Sequence, residues 1–392
     1  MDFNQLLKDD IQCFIKANAL TDLAKLALKK NLFPDVDYKL ILNQIESRQK
    51  SKTKLPTWFL TENIIYGSKV AIEQTSSEIT AKYKSEIISG DALIDLTGGF
   101  GIDDFYFSKS FKKIVHCELN ATLSKIVAHN FTKLNVKNVS CIYGDSYETL
   151  KHLNQKFDWI FIDPSRRNDT KEKVFLLNDC SPNVPVLINN YLKFSNNILI
   201  KTAPILDLKA GLNELKNVKK IHIIAVDNDV KELLWEIEKE YSGEVKISTK
   251  NFTKTNVESF DFNLNSVSNS NYSLPNKYLY EPNNCIMKSG GFDEVSSQFG
   301  LYKLHKNSHL YTSNELKAFP GRIFEIDKVI SYSKNEMKTN LANTKKNITI
   351  RNFSDSVESI RRKWNIKEGG AEYCFFTIDK NDKKIVLICK KI

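Results

Sequence analysis

The residues of this chain best suited to chemistry lie in one ordered series. An apolar run, Ala92–Leu96, ends in Asp95-Leu96-Thr97-Gly98-Gly99-Phe100-Gly101. Glycines directly after a strand let the backbone turn sharply and approach a ligand, and the following helix offers free N–H groups and a positive dipole end. The dinucleotide pattern G-x-G-x-x-G is absent, because Gly101 is followed by Ile102, Asp103 and Asp104. Acids close the next apolar runs in turn. Glu118 stands where an acidic residue accepts hydrogen bonds from ribose hydroxyls, Asp145 is placed to accept from an adenine amine, and Asp163-Pro164 ends a fourth run. One such acid would be an ordinary turn residue; a glycine loop and three acids in register point to a bound adenosyl group.

The runs Ala92–Leu96, Ile114–Cys117, Val139–Tyr143, Trp159–Ile162, Ile198–Ile200 and Ile221–Val226 alternate with helical stretches. That alternation predicts an α/β Rossmann-like fold, a doubly wound and mainly parallel sheet with ligands at the strands' C-terminal rim. Ahead of it, Phe3, Leu6, Leu7, Ile11, Phe14 and Ile15 recur at helical spacing, so residues 1–85 are expected to form an N-terminal helical cap. The main domain is expected over 86–265. Residues 251–275, rich in Asn, Ser and Thr, read as a linker. A small C-terminal α+β module should carry a strand at Asn347–Arg351, a helix from Ser354 to Trp364 and a hairpin pairing Tyr373–Ile378 with Lys384–Cys389.

Bulk composition narrows the class. A chain of 392 residues exceeds what one core organises. No apolar run approaches the roughly 20 residues needed to cross a bilayer, and Met1–Leu20 lacks the order of a secretory signal, so a cytoplasmic protein is expected. The seven cysteines form no CxxC pair and no cluster with histidine, which suits reduced, buried thiols and no metal. Lys and Arg outnumber Asp and Glu by 57 to 47; this suits a polyanionic partner, and equally a solvated basic surface.

The order of loop and acids resembles the class I methyltransferases, which implies S-adenosyl-L-methionine as cofactor. By that resemblance Asp95, Thr97, Gly98, Gly99 and Gly101 face its methionine part, Glu118 its ribose and Asp145 its adenine, while Asp163 and Pro164 face the substrate. Four further motifs, Glu73-Gln74-Thr75-Ser76-Ser77-Glu78, Asp163-Pro164-Ser165-Arg166-Arg167, Tyr280-Glu281-Pro282-Asn283 and Phe319-Pro320-Gly321-Arg322, resemble bacterial methyltransferases with a THUMP-like C-terminal domain. The likeness adds Gln74 to the cofactor set. It implies a ferredoxin-like segment over 275–320, a THUMP-like domain over 321–392 and an RNA substrate, rRNA or tRNA.

The methyl acceptor is open between three chemistries. Exocyclic amine methylation normally uses an aromatic after Asp-Pro, where this chain has Ser165 and Arg166. Uridine C5 methylation needs a cysteine, and Cys180 is the nearby one, read as a structural thiol in preference to a nucleophile. Ribose 2′-O methylation would use Asp163 and Lys201, with Lys69 and Glu232 as further members. The catalytic set is read as Asp163, Pro164, Arg166 and Lys201; Arg166 and Arg167 suit phosphate contacts or substrate orientation under every option, and Arg167, Arg351, Arg361, Arg362 and Lys363 are expected to contact RNA phosphates. An RNA-binding protein with an idle cofactor fold, or a methyltransferase of small molecules or proteins, stands as the alternative, and the oligomeric state is left open.

Overall fold

The computed structural model describes residues 3–166, 176–266 and 268–392. Its strands are β1 (Gly90–Asp95), β2 (Phe111–Glu118), β3 (Val139–Tyr143), β4 (Trp159–Ile162), β5 (Ser165–Arg166), β6 (Cys180–Ser181), β7 (Asn197–Thr202), β8 (Val218–Val226), β9 (Asp229–Glu238), β10 (Lys246–Phe252) and β11 (Val257–Asn263). They continue with β12 (Tyr278–Pro282), β13 (Tyr302–Lys303), β14 (Tyr311–Ser313), β15 (Gly321–Ser331), β16 (Asn347–Ile350), β17 (Glu372–Ile378) and β18 (Lys384–Lys391). The chain divides into two compact units, residues 1–219 with 234–242, and residues 220–233 with 243–392.

In the first unit the strand order is β7-β4-β1-β2-β3, with the second half of β9 beside β7. β1 pairs in parallel with β2 and β4, β2 with β3, and β4 with β7. The chain reverses its direction of travel across the sheet between β1 and β4. In an open α/β sheet such a switch point leaves a crevice at the strand ends, and ligands bind there.

The helices before β1 do not build a core of their own. Trp58, Tyr66 and Ile72 share one apolar cluster with Phe100, Phe105, Val127 and Phe131, which come from the segment after β1 and from helix Ala121–Lys133. Trp58 meets Phe105 edge-on, with ring centroids 4.8 Å apart. The cap therefore stabilises the helix that follows the glycine loop.

In the second unit, β10 pairs in parallel with β8 and antiparallel with β11. The stretch expected as a linker, 251–275, thus begins with the end of β10 and all of β11. Its polar composition hid an alternation: Phe260 and Phe262 turn inward and are buried, while Asp261 and Asn263 are exposed. A second sheet runs β13-β14-β12-β15-β18-β17-β16, antiparallel throughout except for β16 beside β17. The expected C-terminal hairpin is present, Ile378 facing Lys384 across the turn. The expected helix spans Val357–Trp364, with Ser356 accepting from the Ser359 N–H as its cap.

Candidate active site

The loop after β1 is stitched to both neighbouring strands. The Leu96 N–H donates to the Phe161 carbonyl at 3.0 Å and the Gly98 N–H to the Cys117 carbonyl at 2.9 Å. Its three glycines are needed for different reasons. A Cβ on Gly98 would lie 2.1 Å from the His116 ring, and one on Gly101, at φ 74°, would lie 2.8 Å from Val127 and Phe131. Gly99, at φ 55°, would put its Cβ no nearer than 3.7 Å to anything. Gly98 and Gly101 therefore serve packing, and Gly99 is the open one.

Asp95 lies beneath this loop, 1% exposed, and its Oδ1 accepts from the Thr97 N–H at 2.7 Å and hydroxyl at 3.1 Å. Burial, reinforced by the charge of Asp104, holds its pKa well above the usual carboxylate range. The side chain braces the turn from inside. Thr97 Oγ1 in turn accepts the Asp163 N–H at 2.6 Å, and Lys201 Nζ forms an ion pair with Asp163 Oδ2. The ends of β1, β4 and β7 are joined by one hydrogen-bonded chain.

Glu118 Oε2 accepts from the Gly99 N–H at 3.0 Å and Oε1 from the Asn120 N–H at 2.7 Å. Each oxygen keeps a second lone-pair direction for a ligand hydroxyl. Asp145 is exposed at the end of β3 and caps helix Ser146–Leu153 through Oδ1, leaving Oδ2 free of that duty. Leu119 and Tyr143, 67% and 63% exposed, flank these two acids. Sequence reasoning passed over both, because single surface apolar residues are ordinary until their strand ends are known.

Gln74 is exposed at the end of helix Lys69–Gln74. Its neighbours in the motif are fasteners. Glu78 accepts from the Thr57 N–H and hydroxyl and from the Tyr106 hydroxyl, and Ser76 donates to Asp103 Oδ2 at 2.9 Å. Beneath the loop the buried pair His116 and Asp104 is joined at 2.6 Å; burial pushes the histidine pKa down and the aspartate pKa up. Both were missed, since a histidine inside β2 carries no outward signature. Lys69 forms an ion pair with Glu46, and Glu232 is buried in β9. Pro164 is buried, and Cys180 is buried with its thiol against the Leu176 carbonyl, a structural setting. Arg166 belongs to β5 by its backbone, facing Cys180 of β6, and Arg167 lies outside the described residues.

The residues expected on RNA phosphates divide. Glu281, 3% exposed, accepts from Arg351 at 2.9 Å on Oε1 and from Arg322 Nε at 2.6 Å on Oε2. The motifs around Glu281 and Gly321 thus meet: Pro282 faces Gly321 across β12 and β15, and a Cβ on Gly321 would fall 2.2 Å from the Glu281 carbonyl oxygen. Arg351 is committed to this internal clamp. Arg361 donates to the carbonyls of Lys346 and Ile366 at 3.3 Å. Arg362 and Lys363 are exposed. Among the described residues no group of His, Cys, Asp and Glu could hold a metal, and no helix is long and apolar enough to cross a membrane.

Comparison with known proteins follows these divisions. Residues 278–320 match a ferredoxin-like domain family and residues 321–391 a THUMP domain-like family. A candidate methyltransferase from Porphyromonas gingivalis W83 is 30% identical, with 100% of this chain and 99% of that one covered and a TM-score of 0.86. An rRNA methylase of Streptococcus thermophilus is 14% identical over 42% of this chain and 98% of its own, at a TM-score of 0.30. TrmK of M. capricolum, in complex with S-adenosyl-homocysteine, is 16% identical over 45% of this chain and 70% of its own, at 0.32. The curated proteins return no match.

Proposed function

The chain belongs to the family of that Porphyromonas gingivalis candidate methyltransferase, a class I methyltransferase fold followed by ferredoxin-like and THUMP-like modules, and from this premise we propose that it transfers a methyl group from S-adenosyl-L-methionine to RNA. The observation that carries the proposal is the meeting, at the switch point between β1 and β4, of an open glycine, Glu118 and the Asp163–Lys201 pair.

The residues present fit the cofactor. Gly99 leaves room for its methionine part, the remaining lone pairs of Glu118 suit vicinal ribose hydroxyls, and Leu119 and Tyr143 offer apolar surface for an adenine whose amine Asp145 accepts. When bound, S-adenosyl-L-methionine supplies an electrophilic methyl carbon attached to a sulfonium. Methyl transfer is then an in-line displacement, and the protein's task is to align the nucleophile and place charge around it. Lys201 fixes the direction of the Asp163 carboxylate. A substrate N–H or O–H donating to Asp163 is oriented by it, and the proton released as the new bond to carbon forms passes to that carboxylate.

An RNA substrate is favoured by the THUMP-like match over 321–391 and by the excess of Lys and Arg, 57 against 47 Asp and Glu. The test is cofactor binding by calorimetry together with transfer of labelled methyl to total RNA from cells lacking the gene. Labelled nucleosides identified by digestion support the proposal. Tight cofactor binding with no transfer to any RNA would reduce the chain to an RNA-binding protein with an idle cofactor fold. Labelling of protein or small molecules alone would reassign the substrate.

A further inference from the structure

The C-terminal module carries a second pocket, remote in sequence from the glycine loop. It has a volume of about 510 Å³, and Tyr332, Lys334, Lys338, Asn343, Lys363 and Trp364 are among the residues lining it. Lys334 and Lys338 are one turn apart on helix Lys334–Asn340 and both are exposed. Lys363 comes from helix Val357–Trp364, its ammonium 5.4 Å from the centroids of both the Tyr332 and Trp364 rings. None of these three ammonium groups has a carboxylate ion-pair partner among the described residues. Three ammonium groups around one concavity, with the Asp355 carboxylate acting on Lys363 alone among them, leave an excess of positive charge that suits an anion.

The aromatic walls are held in place. The Tyr332 hydroxyl donates to Asp355 Oδ2 at 2.8 Å, and its ring meets Phe353 and Phe376 edge-on at 5.0 and 5.9 Å. Trp364 is half-buried against the core cluster of the module. Flat rings beside unpaired cations are the combination used for unpaired nucleotides, where the base stacks and the phosphate meets the charge. A duplex keeps its bases inside and would engage the lysines alone.

We propose that this pocket receives a single unpaired nucleotide of the RNA substrate, with phosphate on Lys334 and Lys338 and the base against the Trp364 and Tyr332 rings. Lys363, which covers those rings in the free protein, turns to the neighbouring phosphate. The assignment rests on the RNA reading above, and it relocates contact from Arg351 and Arg361, which have internal partners, to residues without them.

The test uses the full chain and a short, labelled single-stranded RNA of mixed sequence, with a blunt duplex of the same sequence as comparison. Lys334→Ala/Lys338→Ala should weaken single-strand binding at least tenfold and lower the salt dependence of log K by about 1.4, two phosphate contacts at ~0.7 each. Trp364→Leu should weaken it similarly while leaving the salt slope in place, a split that general loss of structure does not produce. Circular dichroism of each variant checks the fold, and the two lysines are exposed, so that variant stands if Trp364→Leu misfolds. Wild-type affinity in the lysine variant, with RNA methylation persisting, would overturn the pocket and leave the RNA reading intact. No binding of either RNA by the wild type, and no methylation, would remove both. Equal weakening by these variants on anionic phospholipid vesicles, with no single-strand preference, would reassign the surface to membranes.

Discussion

Thr97 Oγ1 accepts the backbone N–H of Asp163 at 2.6 Å while donating to Asp95 Oδ1 at 3.1 Å. A single hydroxyl therefore sets the distance between the cofactor loop and the acid after β4. Thr97→Val keeps the shape and removes both bonds, leaving the Asp163 N–H without its partner. The expected cost is about 1–3 kcal/mol at the site, read as a ~10- to 100-fold loss of kcat with a smaller change in cofactor Kd. Asp163→Asn should reduce kcat more severely, because the amide keeps a hydrogen-bond acceptor but cannot take the proton. Unchanged turnover in Asp163→Asn would place the proton acceptor elsewhere.

The glycines separate fold from binding. Gly99→Val adds its side chain to the open side of the loop and imposes a left-handed φ on a β-branched residue, so cofactor affinity should fall at least tenfold while the chain still folds. Gly98→Ala pushes a methyl into the His116 ring, whose neighbour Asp104 is also buried, and should lower thermal stability by ~1–3 kcal/mol. Calorimetric titration and thermal melts on both variants check the division. Reversed outcomes would exchange the two assignments.

The rim residues were legible because strand alternation assigns each acid to the end of a known strand, and parallel connections bring those ends to one edge. Asp163 and Lys201 are matched in this way by the sequence alone. What escaped depends on packing that leaves no periodic mark. His116 and Asp104 meet only when β2 lies under helix Ile102–Phe107. β11 passed for a linker since two phenylalanines among polar residues make a short alternation. Arg351 read as a phosphate contact because its partner, Glu281, is 70 residues away.

His309 provides a pH signature for the second unit. Its ring stacks on Phe292 at 3.5 Å, and burial, with lesser contributions from Lys303 and Arg351, pushes its pKa down to about 4 from 6.5. The folded state thus binds the proton more weakly than the unfolded chain. Its contribution to stability is complete above pH 6.5 and is lost as pH falls from there toward 4. With solvent screening at this half-buried site the loss is expected to be about 2 kcal/mol. His309→Asn suits the left-handed backbone at φ 50° and cannot titrate. Urea melts at pH 7 and pH 4.5 should show a smaller acid loss in the variant; parallel losses would show that His309 does not titrate as described.

Glu281 is the buried centre of a clamp whose two arms come from β15 and from the residue after β16, with Arg322 and Arg351 38% and 29% exposed at the side chain. Removal of the centre and removal of one arm are therefore unequal. Glu281→Ala leaves two partly exposed guanidinium groups without their shared carboxylate, which after solvent screening should cost about 2–3 kcal/mol. Arg351→Ala leaves Glu281 paired with Arg322 and lets water reach the vacated side, so its cost should stay near ~1 kcal/mol. Urea unfolding followed by tyrosine and tryptophan fluorescence measures both. Equal costs would mean that Arg322 alone does not satisfy the buried carboxylate and that both arms are needed.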